Sequence, residues 1–441
     1  MTSLTQLSRT LQTVFTSVAD RAAHTTRFVQ RESKLTGAKF LQTLVFTWLD
    51  QPDATYEDLA QNATALDAPI SAQGLEQRFT PEAAACVLQV LQTAVQELVT
   101  TDPVALPLLN RFQGVYLQDS TTITLPDALA AVWAGCGGSS PRGTQAALKA
   151  QVQFNYSTGQ VTHLDVQPGR AQDKTAPMQT APLPAGALRL ADLGYFSVAG
   201  FAAYAQQGVY SLSRLHPQVV VLTDHDVELD LVPLLAATPA DQLDLPIHLS
   251  REHAWPCRLV ALRMPPEVAA ERRRKAHAAA RREGRTLSAK QVALLGWTLV
   301  VTNVPVALLP VTDVLTVLRL RWQIELLFKL WKSQGQVDEW RSQKPYRILC
   351  EVYAKLLGVL IQQWILLTCG WQAANRSWVK ASQTIRRHAL ALGEVLASEA
   401  QMSAILETVA RCLAKGAHLN SRKQVPTTYQ LLMTCDEETL A

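Results

Sequence analysis

The chain has no run of the roughly twenty uninterrupted apolar residues that a membrane-spanning helix needs. The nearest stretch, Leu356 to Leu367, is broken by Gln362 and Gln363 and reads as a buried helix. Cysteine motifs are missing too. The seven cysteines (Cys86, Cys136, Cys257, Cys350, Cys369, Cys412 and Cys435) are scattered and odd in number, with no CxxC among them, and no paired histidines supply zinc-ligand spacing. A zinc ribbon and a disulfide scaffold are therefore not expected, and reduced thiols suit a cytosolic protein. The N-terminus lacks the form of a secretion signal, because Leu4, Leu7, Leu11, Val14 and Val18 recur at helical spacing among polar residues. Charge is sparse at 18% of residues, and its formal sum is only +4, too little to imply a nucleic-acid partner.

Its distribution says more. Between Arg251 and Lys290 stand eleven Lys/Arg against four Asp/Glu, so the positive charge is concentrated in one segment and the remainder is slightly acidic. With 441 residues, 48% of them hydrophobic, the chain is expected to form several folded units with substantial cores.

Residues 1–105 read as all helical: Phe40 to Leu49, Tyr56 to Leu66, a helix capped by Ser71 through Phe79, and another from Pro81 behind the Thr80 N-cap. This arrangement suits a DNA-binding head and any small helical bundle equally. Over 106–215 the pattern turns strand-like, with Val115 to Leu117 leading into Asp119. Ala147 to Tyr156 and Val161 to Val166 follow as a hairpin across Ser157-Thr158-Gly159. A short strand to Ala191 ends at Asp192, then a helix from Val198 to Gln206 leads to a strand at Val209 to Leu212, the signature of a mixed α/β region with a partly parallel sheet. Residues 216–305 offer strands at Val227 to Val232, Leu243 to Leu249, Arg258 to Met264 and Trp297 to Thr302 around a basic helix from Pro266 to Glu283. Helix returns over 306–375, with one segment from Val311 to Lys332 and another from Ile348 to Leu367, and a polar helical region over 376–441.

The densest chemical signal is the run from Arg321 to Lys332. At helical periodicity Leu320, Ile324, Leu327 and Trp331 share an apolar face, and Arg321, Glu325, Lys329 and Lys332 form the neighbouring stripe. Spacing alone leaves two readings: a solvated face with a Glu325–Lys329 pair worth ~0.2–0.5 kcal/mol, or a metal-binding carboxylate among cations that hold phosphates. Asp119 and Asp192 each sit at the end of an expected strand, where aspartate also serves as a turn or cap residue. Together with Glu325 they offer three carboxylates on separate elements, the set that two-metal phosphoryl transfer requires. Magnesium favours oxygen ligands, so a site without Cys or His is consistent.

At these residues the chain resembles the DDE transposases of the insertion-sequence-four group, which includes the transposon-five enzyme. That family carries the helical signature Y-x2-R-x3-E-x6-K, matched here by Arg321, Glu325 and Lys332, with Leu318 in the tyrosine position. Asp119 in Leu-Gln-Asp-Ser-Thr is similar to the family's first aspartate, and Asp192 in Ala-Asp-Leu-Gly-Tyr-Phe to its second. The Trp297 segment resembles the last strand of the family's insertion, and Ile70 to Phe79 more loosely resembles its DNA-binding head.

The resemblance implies a ribonuclease-H-like α/β core interrupted by a mostly β insertion and flanked by helical N- and C-terminal regions. It implies catalysis and metal binding by Asp119, Asp192 and Glu325 with two magnesium ions, for which manganese can substitute. It also implies hydrolysis at the transposon end, hairpin formation, hairpin opening and joining to target DNA. The partners would be the terminal inverted repeats and target DNA, engaged by a homodimer in a synaptic complex, with no membrane and a nucleoid-associated cytoplasmic location. Arg321, Lys329, Lys332 and the basic residues Arg272, Arg273, Arg274 and Lys275 would contact DNA, the last four on the ground of phosphate neutralisation. Trp297 is either a core tryptophan or the wall of a pocket for a flipped base. Lys149 and Asp173 are surface residues or DNA contacts. Two alternatives stay open: another ribonuclease-H-like nuclease that cuts without joining, and a domesticated or decayed element that only binds DNA.

Overall fold

The structure, a computed structural model, describes residues 2–31, 34–97, 99–104, 106–137, 145–373, 375–420, 428 and 431–432. The helical tail expected beyond residue 420, apart from those last three positions, and Cys435 lie outside the described residues. Nine strands occur among them: β1 (Val115–Leu125), β2 (Ala146–Asn155), β3 (Gln160–Pro168), β4 (Leu188–Ala191), β5 (Tyr210–Arg214), β6 (Val221–Leu222), β7 (Gln242–Leu249), β8 (Trp255–Arg263) and β9 (Trp297–Thr302). Two compact units emerge, and the chain passes between them within β1, after Gln118.

The first unit comprises 1–106, 119–171 and 322–429. Its helices begin where the sequence offers caps: Thr36, Thr55, Ser71 and Thr80 each accept a backbone amide of the first turn, and Pro81 occupies the opening position behind Thr80. The helix at Ser71 is shorter than the spacing suggests, ending at Glu76. The long helix Pro345–Gly370 is the axis of this unit and packs against Gly37–Asp50 and Pro81–Val95. It is the one helix among the described residues long and apolar enough to cross a membrane, and its apolar window is 89% buried within the protein. Arg347, Glu351 and Lys355 lie one turn apart along it as a buried ion-pair ladder, with the Arg347 guanidinium over the rings of Trp48, Tyr56 and Phe79. The β2–β3 hairpin is antiparallel, and its turn requires glycine at 159, where φ is +72° and a Cβ would stand 2.3 Å from the Trp371 ring.

The second unit comprises 107–118, 172–321 and 430–441. Its strand order is β1-β4-β5-β9-β8-β7-β6. β1, β4 and β5 run parallel, and the remainder is antiparallel. β9 pairs with both β5 and β8, so the segment between β5 and β9 extends the core sheet. Three helices lie within it, Leu231–Ala237, the basic helix Pro266–Arg282 and Ala289–Leu294. Arg258 on β8 donates a fork to Asp244 at 3.0 and 2.5 Å, and to the carbonyls of Val304 and Leu309, tying these strands to the chain leaving β9.

Two further expectations change. The strand expected at Val227 to Val232 is a single bridge at Glu228 followed by a helix from Leu231, because Asp230 caps that helix by accepting the Val232 amide. The single helix expected from Val311 to Lys332 is two, Val311–Arg319 and Trp322–Ser333, separated by a turn at Leu320 and Arg321. The break lets Leu320 stay fully buried while Arg321 turns to Asp192.

Candidate active site

The last register pair between the parallel strands β1 and β4 is Gln118 with Ala191. Asp119 and Asp192 are the residues that follow on their respective strands. They are not alike. Asp192 is the first residue past β4, and a 3-10 turn, Leu193–Tyr195, closes behind it with the Tyr195 amide on the Asp192 carbonyl. Asp119 is not at a strand end, since β1 continues to Leu125 with Thr121, Ile123 and Leu125 turned inward. Its carboxylate accepts the amide of Ser120 at 2.8 Å and is half-buried.

The Asp192 carboxylate is 53% exposed and faces Arg321, whose Nη1 stands 3.6 Å from Oδ1. Asp173, on its own 3-10 turn Asp173–Thr175, packs against this one: a Cβ on Gly194 would stand 3.0 Å from its Oδ2, so the close approach of Asp173 depends on glycine there.

The helix Trp322–Ser333 carries Glu325 in its first turn, half-buried. Its apolar face is as expected, with Ile324, Leu327 and Trp331 buried. Lys332, two turns beyond Glu325, donates to the Thr122 carbonyl of β1 at 3.0 Å and stands 3.5 Å from Asp338, tethering this helix to the strand that bears Asp119. Lys329 is exposed, its Nζ 4.5 Å over the ring of Trp322, itself 45% exposed. Lys149 donates to the Ala171 carbonyl at 2.7 Å.

Among the described residues no three His, Cys, Asp or Glu side chains are gathered tightly enough to hold an ion. The donor chemistry nonetheless fits a hard divalent cation: Asp119, Asp192 and Glu325 are all oxygen donors, and the aspartates follow one register pair of parallel strands.

The basic helix sorts its cations. Arg272 turns inward, its Nη1 donating to the Trp297 carbonyl (3.3 Å) and the Thr298 hydroxyl (3.0 Å), and burial, with Arg214 nearby, lowers its pKa. Arg274 and Lys275 both pair with Glu271, while Arg273, Arg281 and Arg282 face solvent. Trp297 is 9% exposed in a core cluster with Trp255 and Val301, and the Arg263 guanidinium lies 4.4 Å from its ring. It also forms part of the wall of a cavity of about 730 Å³, where Arg214, Lys275, Arg285 and Lys290 meet an apolar floor including Leu294 and Leu299.

Residue pattern did not single out Arg189. It is 1% exposed on β4, donating from Nε to Gln118 Oε1 (2.6 Å) and from Nη2 to Gln179 Oε1 (2.5 Å), under the rings of Phe201 and Tyr204. The available signal was an arginine inside the apolar run that ends at Asp192.

A family model described as a transposase DDE domain matches residues 110–361. The chain is 27% identical over 358 residues to the transposase for insertion sequence element IS231B of Bacillus thuringiensis subsp. berliner, covering 76% of this chain and 74% of that one. It is 26% identical over 449 residues to the IS231E transposase of B. thuringiensis subsp. finitimus, covering 94% and 92%. To the IS1151 transposase of Clostridium perfringens it is 23% identical, covering 79% and 78%. The fold is similar to that of piggyBac transposase in a synaptic complex with hairpin DNA, at a TM-score of 0.51 and 8% identity, covering 97% of this chain and 87% of that one.

Proposed function

We propose that this chain, which belongs to the DDE transposase family in its insertion-sequence-four group, moves its element by cut-and-paste transposition with Asp119, Asp192 and Glu325 as the catalytic carboxylates. The carrying observation is the Gln118–Ala191 register pair, after which both aspartates follow on parallel strands.

DDE transposases generally use divalent metal ions. Here magnesium, with manganese as a substitute, would be held by the three carboxylates and would supply charge neutralisation and an activated nucleophile. The chain's own residues do the rest. Arg321, 3.6 Å from the Asp192 carboxylate, places a cation where a DNA phosphate would be held. Lys329 and Trp322 offer an exposed cation and ring to the DNA backbone. Lys332, anchored to β1, holds the Glu325 helix in place and adds positive charge beside the scissile phosphate. Arg273, Arg274 and Lys275 steer DNA, while the cavity walled by Trp297 accepts an unstacked base. Two copies bind the inverted repeats of one element and join them to target DNA in the cytoplasm, at the nucleoid.

Nicking and strand-transfer assays on DNA carrying the element's own terminal repeats test this. Asp119→Asn, Asp192→Asn and Glu325→Gln should each abolish metal-dependent nicking, retain end binding, and show losses that do not add. Near-normal nicking by Glu325→Gln would remove that residue from the set. Cleavage by the unaltered protein without joining would make it a nuclease of another kind.

A further inference from the structure

Arg189 is a buried cation with no carboxylate partner among the described residues. Its guanidinium is satisfied by two neutral amide oxygens, those of Gln118 and Gln179, and by the faces of Phe201 and Tyr204, with centroids at 5.8 and 5.1 Å. Leaving a charge out of water without a counter-ion is costly, so its retention calls for a role beyond packing. Burial lowers its pKa to about 10, which still leaves it charged near neutral pH.

The partners of the two glutamines show what the charge organises. Gln118 immediately precedes Asp119, and its Nε2 donates to the Met178 carbonyl at 3.2 Å. Gln179 donates to the Tyr195 carbonyl at 3.1 Å and the Asp173 carbonyl at 3.4 Å, so it ties the turn behind Asp192 to the separate turn at Asp173–Thr175. Tyr204, under the guanidinium, donates through its hydroxyl to the carbonyls of Met178 and Ala181. Arg189 itself lies three residues before Asp192. One side chain thus links the residue before the first aspartate, the strand before the second and the turn after it.

We propose that Arg189 is a positioning residue for the transposition reaction, whose fork to Gln118 and Gln179 holds the middle of β1, at Gln118, and the turn after β4, and so fixes the backbone from which Asp119 and Asp192 extend. The inference rests on the assignment of those aspartates above.

Arg189→Lys tests the fork, because it keeps the charge and cannot hold two acceptors in one plane. Three readouts are taken on the full chain: Mn²⁺ affinity by calorimetry, hydrogen exchange at the amides around 118–120 and 191–193, and kcat against KM for end nicking. Partners that orient metal-binding side chains cost about 10–100-fold in metal affinity or activity when removed. The expected result is therefore Mn²⁺ binding weakened by about tenfold or more, faster exchange confined to those amides, and a fall in kcat with KM for the DNA end little changed. Gln179→Met, which removes one acceptor and leaves Arg189 in place, should show the same pattern more weakly, and it decides the matter if Arg189→Lys does not fold. Wild-type Mn²⁺ affinity and exchange in a folded variant would overturn the proposal, as would losses of kcat, end binding and thermal stability in common proportion. If Asp192→Asn leaves Mn²⁺ binding and nicking intact, the catalytic assignment itself has failed, a result distinguishable from failure of the Arg189 role alone.

Discussion

Arg321 and Asp192 face each other at 3.6 Å, with the carboxylate half exposed, so a cation already stands where the second aspartate would meet an ion or a phosphate. Arg321→Ala is expected to bind Mn²⁺ as well as or better than the parent, and to bind DNA ends more weakly. The salt dependence of end binding should flatten by about 0.9 for each phosphate that is no longer neutralised. Weaker Mn²⁺ binding in this variant would show that Arg321 supports the carboxylate rather than competing for it.

The basic helix should not behave as a uniform patch. Arg272, turned toward Trp297 and Thr298, belongs to the fold, and Arg272→Ala should cost on the order of 1 kcal/mol of stability for its hydrogen bonds to β9. Arg273→Ala together with Arg274→Ala should spare stability, weaken binding to specific and random DNA alike, and lower the slope of log affinity against log salt. An unchanged slope would make this helix a solvated face. Urea denaturation and salt titration of DNA binding measure the two effects separately.

Trp297 packs in a core cluster and also walls a cavity, and two substitutions separate the packing role from the proposed binding role. Trp297→Ala should cost ~3–5 kcal/mol of stability, as expected for emptying a buried aromatic site. Trp297→Phe should retain much of the packing. If the cavity receives an unstacked base, the phenylalanine variant should nick normally but form hairpins more slowly, because the stacking surface has shrunk. Equal slowing of both steps in Trp297→Phe would leave only the core role.

Leu318 stands where the family signature has tyrosine, but it lies on Val311–Arg319 and not on the helix that bears Glu325. The face shared by Leu318, Arg321 and Glu325 that helical spacing implies does not exist, since the chain turns at Leu320 and Arg321. Leu318 is half-buried, so a phenol there has room to project outward. Leu318→Tyr is expected to tighten end binding by up to tenfold relative to Leu318→Phe, the worth of one hydrogen bond to a charged group at ~1.5 kcal/mol. Equal affinity for the two variants would mean that no phosphate lies within reach.

Much of the candidate site was legible because its residues carry local signals. Asp192 ends a short apolar run, Glu325 sits in a spaced array of cations, and the hairpin glycine at 159 follows Ser157 and Thr158. The helix break before Trp322 was not legible: Val311 to Lys332 is continuous in periodicity, and only the pull of Arg321 toward Asp192 with Leu320 held in the core shows where it turns. The strand expected near Val227 failed for a related reason, as the apolar–acidic alternation of Val227 to Val232 does not outweigh the cap that Asp230 provides to the helix after it.

By itself, the sequence carried most of the elements and the candidate chemistry: alternation marked strands, caps marked helix starts, and three carboxylates with their flanking cations, taken with the family resemblance, pointed to the reaction class. Those are properties of neighbours along the chain. Tertiary structure alone decided which cations face solvent and which are bonded within the fold, because a side chain's partner depends on what the fold brings opposite it. Arg272 and Arg273 are adjacent and identical in type, yet one is bonded to β9 and the other faces solvent. Arg189, inconspicuous in an apolar run, becomes the buried centre of a network joining β1, β4 and the Asp192 turn, since parallel pairing sets Arg189 beside Tyr116 and the side chains of Gln118 and Gln179 converge on it from distant positions in the chain.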